Sequence, residues 1–518
     1  AGIDPKAFHL MNILLNTLVC VMVFMTTVKL LEQFLPSQKN IIFSAFAASV
    51  LFATHPVHTE VVAWIAAVPE LTYSLFCLLS LYLYALDRQN GRTGCYVLSV
   101  AAFFIATFCK EPALVLPIVL ISYDYCLGKT KGENLVRFRR YIPFFAAAVI
   151  YLSIRAFALG QLIQAGKQHQ AGAQDMLISV FPLLGEYLAK MLWPVNLNAY
   201  TVFTPGASLM HLQGLVAAAG ALMFLICLAI SFKKSGPIYL GLSLVLLPLV
   251  PALYIPALPE NIFAERYLYF PSFGFVFLIA FVLTKAKRGM ATGTALCVIA
   301  VTLLYAFGTV MRNTVWKDNV SFYSDVLSKS PNVPMMHVNL GWTYFKMGRI
   351  NDALREYNIA LAIKPDLADP HNNIGLIYER QNLVNQALQE YKTALALDPD
   401  YPAAHNNLGN VYMRLNRVGE AIQEFQTALR LSPRYTAAHF NLGNAYARNG
   451  LLNEAVREYK AAIELEPDDA DVRNNLGVTY LNLNRHNEAV EQFMIALKHA
   501  PGSLPARQNL ERARARGL

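Results

Sequence analysis

The chain has 518 residues, 55% of them hydrophobic and 15% charged, with a net charge of +9 and a mean hydropathy of +0.36. Soluble domains carry about 25% charged residues, so this composition excludes an ordinary soluble enzyme and points to a membrane protein. Residues 1–312 hold 21 Lys/Arg against 12 Asp/Glu, whereas 313–518 hold 22 of each, so the basic surplus reads as loop anchoring at a membrane rather than nucleic-acid binding.

The chain opens Ala1-Gly2-Ile3-Asp4-Pro5 and enters an apolar run at once, which reads as the tail of a loop from a longer protein. Apolar segments at 8–34, 40–54, 70–87, 94–109, 112–127, 139–158, 210–231, 237–255, 271–286 and 291–310 predict about ten spans. Several are short, so their ends must extend into the flanks or the bilayer must thin locally. Basic residues cluster at Lys39, at Arg88 and Arg92, from Lys129 to Arg140, at Lys233–Lys234 and from Lys285 to Arg288. With all of these in the cytoplasm, the spans thread consistently provided that 160–209 stays outside. The stretch Leu177–Trp193, interrupted by Pro182, Glu186 and Lys190, then reads as an interfacial helix.

The same threading gathers His55, His58, Glu60, Glu70, Lys110, Glu111, Arg155, Glu265 and Arg266 on the non-cytoplasmic side, with everything after 311. Ionisable groups so close to a membrane are costly unless paired or in a wet cavity, which marks them as a site. The seven cysteines lie in or beside apolar segments without metal or redox spacing and read as small apolar packers.

From residue 334 the sequence repeats every 34 residues. Leu340-Gly341, Ile374-Gly375, Leu408-Gly409, Leu442-Gly443 and Leu476-Gly477 mark five units, each followed by Tyr, Ala, an aromatic residue, Ala and a closing Pro at fixed offsets. This pattern resembles the tetratricopeptide repeat (TPR), an α-solenoid of antiparallel helix pairs. Residues 313–333 read as a junction with a half repeat, 334–501 as five repeats and 502–518 as a polar capping helix. Before every Leu/Ile-Gly stands an Asn: Asn339, Asn373, Asn407, Asn441 and Asn475. Amides both donate and accept, so such a ladder can hold an extended peptide backbone without reading its sequence. It resembles the asparagine ladder of O-linked N-acetylglucosamine transferase; the competing reading is that each Asn serves local hydrogen bonds.

Three membrane-domain motifs stand out: His55-Pro56-Val57-His58-Thr59-Glu60 running on to Trp64, Lys110-Glu111-Pro112, and Ala264-Glu265-Arg266-Tyr267-Leu268-Tyr269-Phe270-Pro271-Ser272-Phe273-Gly274. With the repeats and Arg312-Asn313-Thr314-Val315-Trp316-Lys317-Asp318, they resemble the transmembrane and TPR repeat-containing O-mannosyltransferases and their prokaryotic relatives. The resemblance implies an all-α chain, a GT-C glycosyltransferase domain over 1–312 followed by the solenoid. It also implies transfer of a sugar, mannose, from a polyprenyl- or dolichyl-phosphate donor to Ser/Thr of an extracytoplasmic polypeptide, facing a periplasm or an endoplasmic-reticulum lumen.

Under that resemblance Arg266 is the first choice for the donor phosphate, because guanidinium pairs bidentately with phosphate oxygens; Lys110 and Arg155 follow. Glu60, Glu111 and Glu265 are supporting acids, with His55, His58, Tyr267 and Tyr269 lining the site. The resemblance places the principal catalytic acid in a first loop ahead of residue 1. After Trp64, relatives carry a basic–acidic pair; here Val68-Pro69-Glu70 keeps the acid and not the base. The His-x-x-His-x-Glu spacing differs from that of zincins, and Pro56 reads instead as a helix start, so no metal site is assigned. The expected partners are an extended polypeptide and membrane lipids. A rival reading is a non-catalytic membrane anchor for a TPR scaffold; a third is a lipid-linked sugar transferase acting on a glycan.

Overall fold

The computed structural model describes residues 5–36, 40–132, 136–159, 173–202, 211–253, 262–285 and 291–516. Lys39, Lys287, Arg288, the opening residues 1–4 and the segments 160–172 and 203–210 of the long loop lie outside the described residues. The chain divides into two compact units, Ala1–Pro331 and Asn332–Leu518.

The first unit is built of α1 (Pro5–Phe34), α2 (Ile41–Thr54), α3 (Thr59–Ala63), α4 (Val68–Asn90), α5 (Thr93–Cys109), α6 (Leu116–Lys131) and α7 (Ile142–Leu159). It continues with α8 (Ala173–Leu192), α9 (Leu212–Lys234), α10 (Gly236–Leu253), α11 (Pro271–Thr284), α12 (Ala291–Asn313) and α13 (Asn319–Lys329). Among the described residues, six helices are long and apolar enough to cross a membrane: α1, α4, α6 with its preceding turn, α9, α10 and α12. Helix α2 and the segment Pro56–Ala63 pass the same test together, bent by 50°, while α5, α7 and α11 are shorter apolar helices. The bend falls at His55-Pro56, where proline disfavours a helical residue before it. Together these helices occupy the ten segments expected from hydropathy.

Helices α1, α2, α4, α6 and α11 enclose the main core, in which Leu30, Leu71, Leu81, Val119, Phe273 and Phe277 are inaccessible. A second cluster joins α8, α9 and α10 through Leu183, Tyr187, Ala221 and Leu249. The segment read as an interfacial helix forms α8 and packs along α9. A Cβ on Gly274 would lie 2.7 Å from the Gly241 carbonyl oxygen, so α10 and α11 cross nearly backbone to backbone. Among the described residues the fold is otherwise all-α: two short strands, β1 (Thr201–Val202) and β2 (Ile262–Phe263), pair antiparallel, with Thr201 opposite Phe263.

The second unit is a run of helix pairs: α14 (Pro334–Lys346) with α15 (Ile350–Ile363), α16 (Ala368–Arg380) with α17 (Val384–Leu397), and α18 (Pro402–Arg414) with α19 (Val418–Leu431). Then follow α20 (Thr436–Arg448) with α21 (Leu452–Leu465), α22 (Ala470–Asn482) with α23 (His486–His499), and a final α24 (Leu504–Arg516). Within each pair the repeat Gly faces the aromatic of the second helix. A Cβ would meet the ring at 2.5 Å for Gly409 and Phe425 and at 2.6 Å for Gly341 and Tyr357. Each pair turns through a left-handed residue one repeat apart: Gly348, Asn382, Asn416, Gly450 and Asn484. Gly and Asn tolerate this conformation best, and it ends the first helix of each pair.

Candidate functional site

The bent segment after α2 and the loop before α11 meet at one end of the helix bundle. His55 starts the bend: its Nδ1 accepts the Val57 amide at 3.3 Å and Pro56 opens the following turn. Glu60, on α3, is then held under the loop. Its Oε1 accepts from Arg266 Nη1 at 2.8 Å and its Oε2 from the Arg266 backbone amide at 3.0 Å. Glu70, in the first turn of α4 behind Pro69, accepts from Lys110 Nζ at 2.5 Å and lies 3.5 Å from Arg266 Nε. The two cations also face aromatic rings. Arg266 lies 5.1 Å from the Trp64 centroid and 5.3 Å from that of Tyr267, and Lys110 lies 4.9 Å from Tyr267.

This cluster is polarised. The carboxylates are the inner members, with side chains 3% and 6% exposed for Glu60 and Glu70, while Arg266 and Lys110 are 22% and 18% exposed. An approaching anion therefore meets guanidinium and ammonium first, with their charge fixed from beneath by buried acids. Aromatic walls lower the local dielectric and strengthen such contacts.

The other expected site residues take separate places. Arg155 pairs with Glu111 and donates to Tyr151 Oη at 3.1 Å, so it belongs to a second ion pair rather than to the Arg266 cluster. Of the expected supporting acids Glu60, Glu111 and Glu265, Glu111 is the accessible one, with its side chain 49% exposed. Glu265 turns away from Arg266: it accepts the Asn198 amide at 2.6 Å and lies 3.9 Å from Arg312. Burial pushes its pKa up to about 7 against the pull of Arg312. Arg312 continues to Asp325 at 2.7 Å, and Lys329 joins Asp325 at 2.6 Å and the Leu197 carbonyl at 2.8 Å. Glu265 thus anchors a junction among the 195–200 loop, the end of α12 and α13.

His55 and His58 are buried one layer down. His55 Nε2 faces the Met191 carbonyl at 2.9 Å and His58 Nε2 faces Ser272 Oγ at 2.8 Å. The His58 ring packs on Tyr269, whose hydroxyl donates to Asn16 at 2.7 Å. These side chains support the loop from beneath, and the Tyr269 amide donates to the Arg266 carbonyl at 3.2 Å. With Glu60 turned to Arg266, the three side chains of the His-x-x-His-x-Glu motif take divergent partners, and among the described residues no group of three His, Cys, Asp or Glu side chains could hold a metal ion.

Sequence reasoning marks Glu70 only as one of the ionisable groups on the non-cytoplasmic side, and it misses Trp64, Asn198, Arg312, Asp325 and Lys329 as site residues. Glu70 carries a signal, since it interrupts apolar sequence beside Pro69; Asn198 and Asp325 carry none.

In the solenoid the Asn ladder is partly engaged within the protein. Asn407 Nδ2 donates to Asn372 Oδ1 at 2.9 Å, Asn441 to Asn406 at 2.9 Å and Asn475 to Asn444 at 3.0 Å, each bond linking neighbouring repeats. Asn372 and Asn406 are buried; Asn339, Asn373, Asn407, Asn441 and Asn475 are half-buried.

The TPR repeat family model matches residues 323–382, 384–416, 409–450 and 451–484, and a second tetratricopeptide repeat model matches 470–502. The likeness extends well beyond the repeats. A Caenorhabditis elegans protein O-mannosyl-transferase is 28% identical over 354 residues, 68% of this chain and 49% of that protein. A human protein O-mannosyl-transferase is 26% identical over 409 residues, covering 69% of this chain and 55% of its own. The chain is a homologue of the protein O-mannosyl-transferases.

It spans about half the length of the curated relatives it matches, from 40% to 55% of the first three. Among solved structures, the TPR protein YrrB, described as having an unusual peptide-binding site, is 24% identical, with a TM-score of 0.31 over 36% of this chain and 96% of its own. A thermophilic TPR protein of Thermus thermophilus is 28% identical, with a TM-score of 0.30 over 35% of this chain and 100% of its own.

Proposed function

We propose that this chain acts in protein O-mannosylation, moving mannose from a polyprenyl- or dolichyl-phosphate donor to Ser or Thr hydroxyls of polypeptides on the non-cytoplasmic side of a membrane. The observation that carries this reading is the polarity of the Arg266–Lys110 cluster: two cations at the accessible side of two buried carboxylates, framed by Trp64 and Tyr267. A lipid-linked sugar leaves behind a phosphate that gains charge as the glycosidic bond breaks. Preorganised cations aimed at that developing charge stabilise the transition state more than the ground state. Arg266 offers a planar fork to two phosphate oxygens and Lys110 a point charge. Glu60 and Glu70 keep both in place in the absence of donor. The names of the relatives support the sugar and the acceptor class.

The solenoid supplies the acceptor arm of this reading. TPR arrays bind proteins along an extended surface; the amide nitrogens of Asn407, Asn441 and Asn475 link the repeats, while the oxygens of Asn407 and Asn475, which accept a long bond from the preceding Asn, keep a second lone pair for a peptide N–H. Of the supporting acids, Glu111 is the accessible one, whereas Glu265 is committed to the Arg312 junction. The test is glycopeptide mapping in cells lacking the gene, complemented with wild type, Arg266→Ala or Lys110→Ala. Loss of hexose from Ser/Thr peptides on deletion, restored by wild type and reduced at least tenfold with Arg266→Ala, is the expected result. Unchanged glycosylation on deletion would leave a non-catalytic membrane TPR scaffold as the reading.

A further inference from the structure

The fourth position of each solenoid repeat, where TPR sequences often carry tryptophan, here carries a side chain able to bear positive charge. His337, His371, His405 and His439 stand three residues before the Leu/Ile-Gly pair, and Arg473 takes the place in the fifth repeat. Each histidine meets a glutamate of its own second helix. Nδ1 lies 2.7 Å from Glu356 for His337, 2.7 Å from Glu390 for His371, 2.6 Å from Glu424 for His405 and 2.7 Å from Glu458 for His439.

At His405 and His439 the other ring nitrogen also meets an acceptor. His405 Nε2 is 2.9 Å from the Pro399 carbonyl and His439 Nε2 is 3.1 Å from the Pro433 carbonyl. A carboxylate and a peptide carbonyl bring no proton, and a neutral imidazole carries a single N–H. Only imidazolium satisfies both partners. Arg473 makes the same bridge with a permanent charge: Nε and Nη2 donate to the Pro467 carbonyl at 3.0 and 2.7 Å, and Nη1 to Gln492 Oε1 at 3.2 Å. Where the cation is fixed, the partner is a neutral amide; where it is titratable, the partner is a carboxylate.

We propose that His405 and His439 are proton-operated latches that lock two successive junctions of the solenoid when charged and release them as pH rises. Each latch ties together the turn closing one repeat and both helices of the next: for His405 the turn at Pro399 with α18 and α19, for His439 the turn at Pro433 with α20 and α21. The charged groups set against His405 are Glu424, which favours the imidazolium, and Arg430 of the same α19, which opposes it; Glu458 of α21 faces His439. Burial disfavours charge on His405, but Glu424 and the Pro399 carbonyl outweigh it and hold its pKa above the ordinary value. A pKa raised on folding means that the His405 latch is fully closed below the unfolded value of about 6.5 and is lost as pH climbs through the folded one.

The same junctions carry the Asn407–Asn372 and Asn441–Asn406 bonds. Release therefore loosens the spacing of the Asn face, whatever that face binds. The inference rests on the bridges alone and stands independently of the transferase reading.

The test is hydrogen–deuterium exchange of the full chain in detergent from about pH 5.5 to about pH 8.5, with rates corrected for intrinsic chemistry. Peptides spanning 398–407 and 432–441 should lose about tenfold in protection as pH rises, the order expected for loss of a charge-assisted hydrogen bond. The peptide spanning 466–475, held by Arg473, should not change. The double variant His405→Arg with His439→Arg should abolish the response at the first two junctions. An equal pH response at all three junctions, or one retained in the double-arginine variant, overturns the proposal. Should that variant not fold, His405→Gln with His439→Gln must show at low pH the exchange that wild type shows at high pH; full protection there overturns it equally.

Discussion

Glu60 holds Arg266 from two directions, through the guanidinium at 2.8 Å and through the backbone amide at 3.0 Å. The first bond fixes a charge and the second fixes the loop that carries it. This couples the 264–270 loop to the bent segment after α2, although the two are about two hundred residues apart in sequence.

Removing Glu60 should therefore destabilise the fold as well as disturb the anion site. Glu60→Ala leaves a largely buried guanidinium with the more distant Glu70 as its carboxylate partner beside the Trp64 and Tyr267 rings, at a cost of about 3 kcal/mol. Glu60→Gln keeps an acceptor for the backbone amide and should cost less. Heat challenge of the detergent-solubilised protein followed by size-exclusion chromatography reads this. Equal survival of wild type and Glu60→Ala would show that the pair is dispensable for the loop.

The junction at Glu265 predicts a pH dependence of stability. Its pKa, raised by burial to about 7, lies above the unfolded value near 4.5, so the folded state binds the proton more tightly than the unfolded one. The sign follows: this contribution is fully present below the unfolded value and is lost as pH rises through about 7. The apparent melting temperature should fall between about pH 5.5 and about pH 8, and Glu265→Gln should flatten that slope while keeping the Asn198 bond. A slope unchanged in Glu265→Gln would assign the effect to other groups.

What the sequence reveals here follows the range of the interactions. The repeats are legible because each depends on contacts within about 34 residues, and the same Gly, Ala, aromatic and Pro positions recur five times. The apolar segments are legible because span length is set by the bilayer. Arg266 and Lys110 stand out as charges in apolar surroundings. So does Glu70, but its pairing is not legible, because it depends on α4 bringing it between Lys110 and Arg266, from two other parts of the chain. Glu265 and Arg266 are neighbours in sequence yet face different clusters, since the turn that follows Ala264 sends successive side chains apart. The period of the Asn residues is visible, but not that Asn407 reaches the Asn372 amide one repeat back.

The repeat glycines predict an overpacking effect with a specific rescue. A Cβ on Gly409 would lie 2.5 Å from Phe425 Cε1, inside van der Waals contact, and Phe425 is wholly buried. Gly409→Val should destabilise the solenoid by about 2 kcal/mol or more. Adding Phe425→Leu should recover part of that loss, although Phe425→Leu alone is itself destabilising. Circular-dichroism melts of the full chain and its variants check this non-additivity, and simple additivity would place the strain elsewhere.

The Asn ladder has two separable roles, and the structure supplies the control that distinguishes them. Asn372 and Asn406 are buried at 4% exposure and so cannot reach a peptide, yet they accept the inter-repeat bonds from Asn407 and Asn441. Changing Asn372 and Asn406 to Ala should remove those bonds and lower solenoid stability by about 1 kcal/mol for each bond, leaving the outer amides in place. Changing Asn373, Asn407 and Asn441 to Ala removes the same two bonds and the half-buried amides as well. If the ladder carries the acceptor, the two sets lose similar stability, but the second alone loses photo-crosslinking to an unstructured Ser/Thr-rich peptide, by about thirtyfold for two lost peptide hydrogen bonds of about 1 kcal/mol each. Matched crosslinking by both sets, measured where both remain folded, would make the ladder a tie between repeats and nothing more.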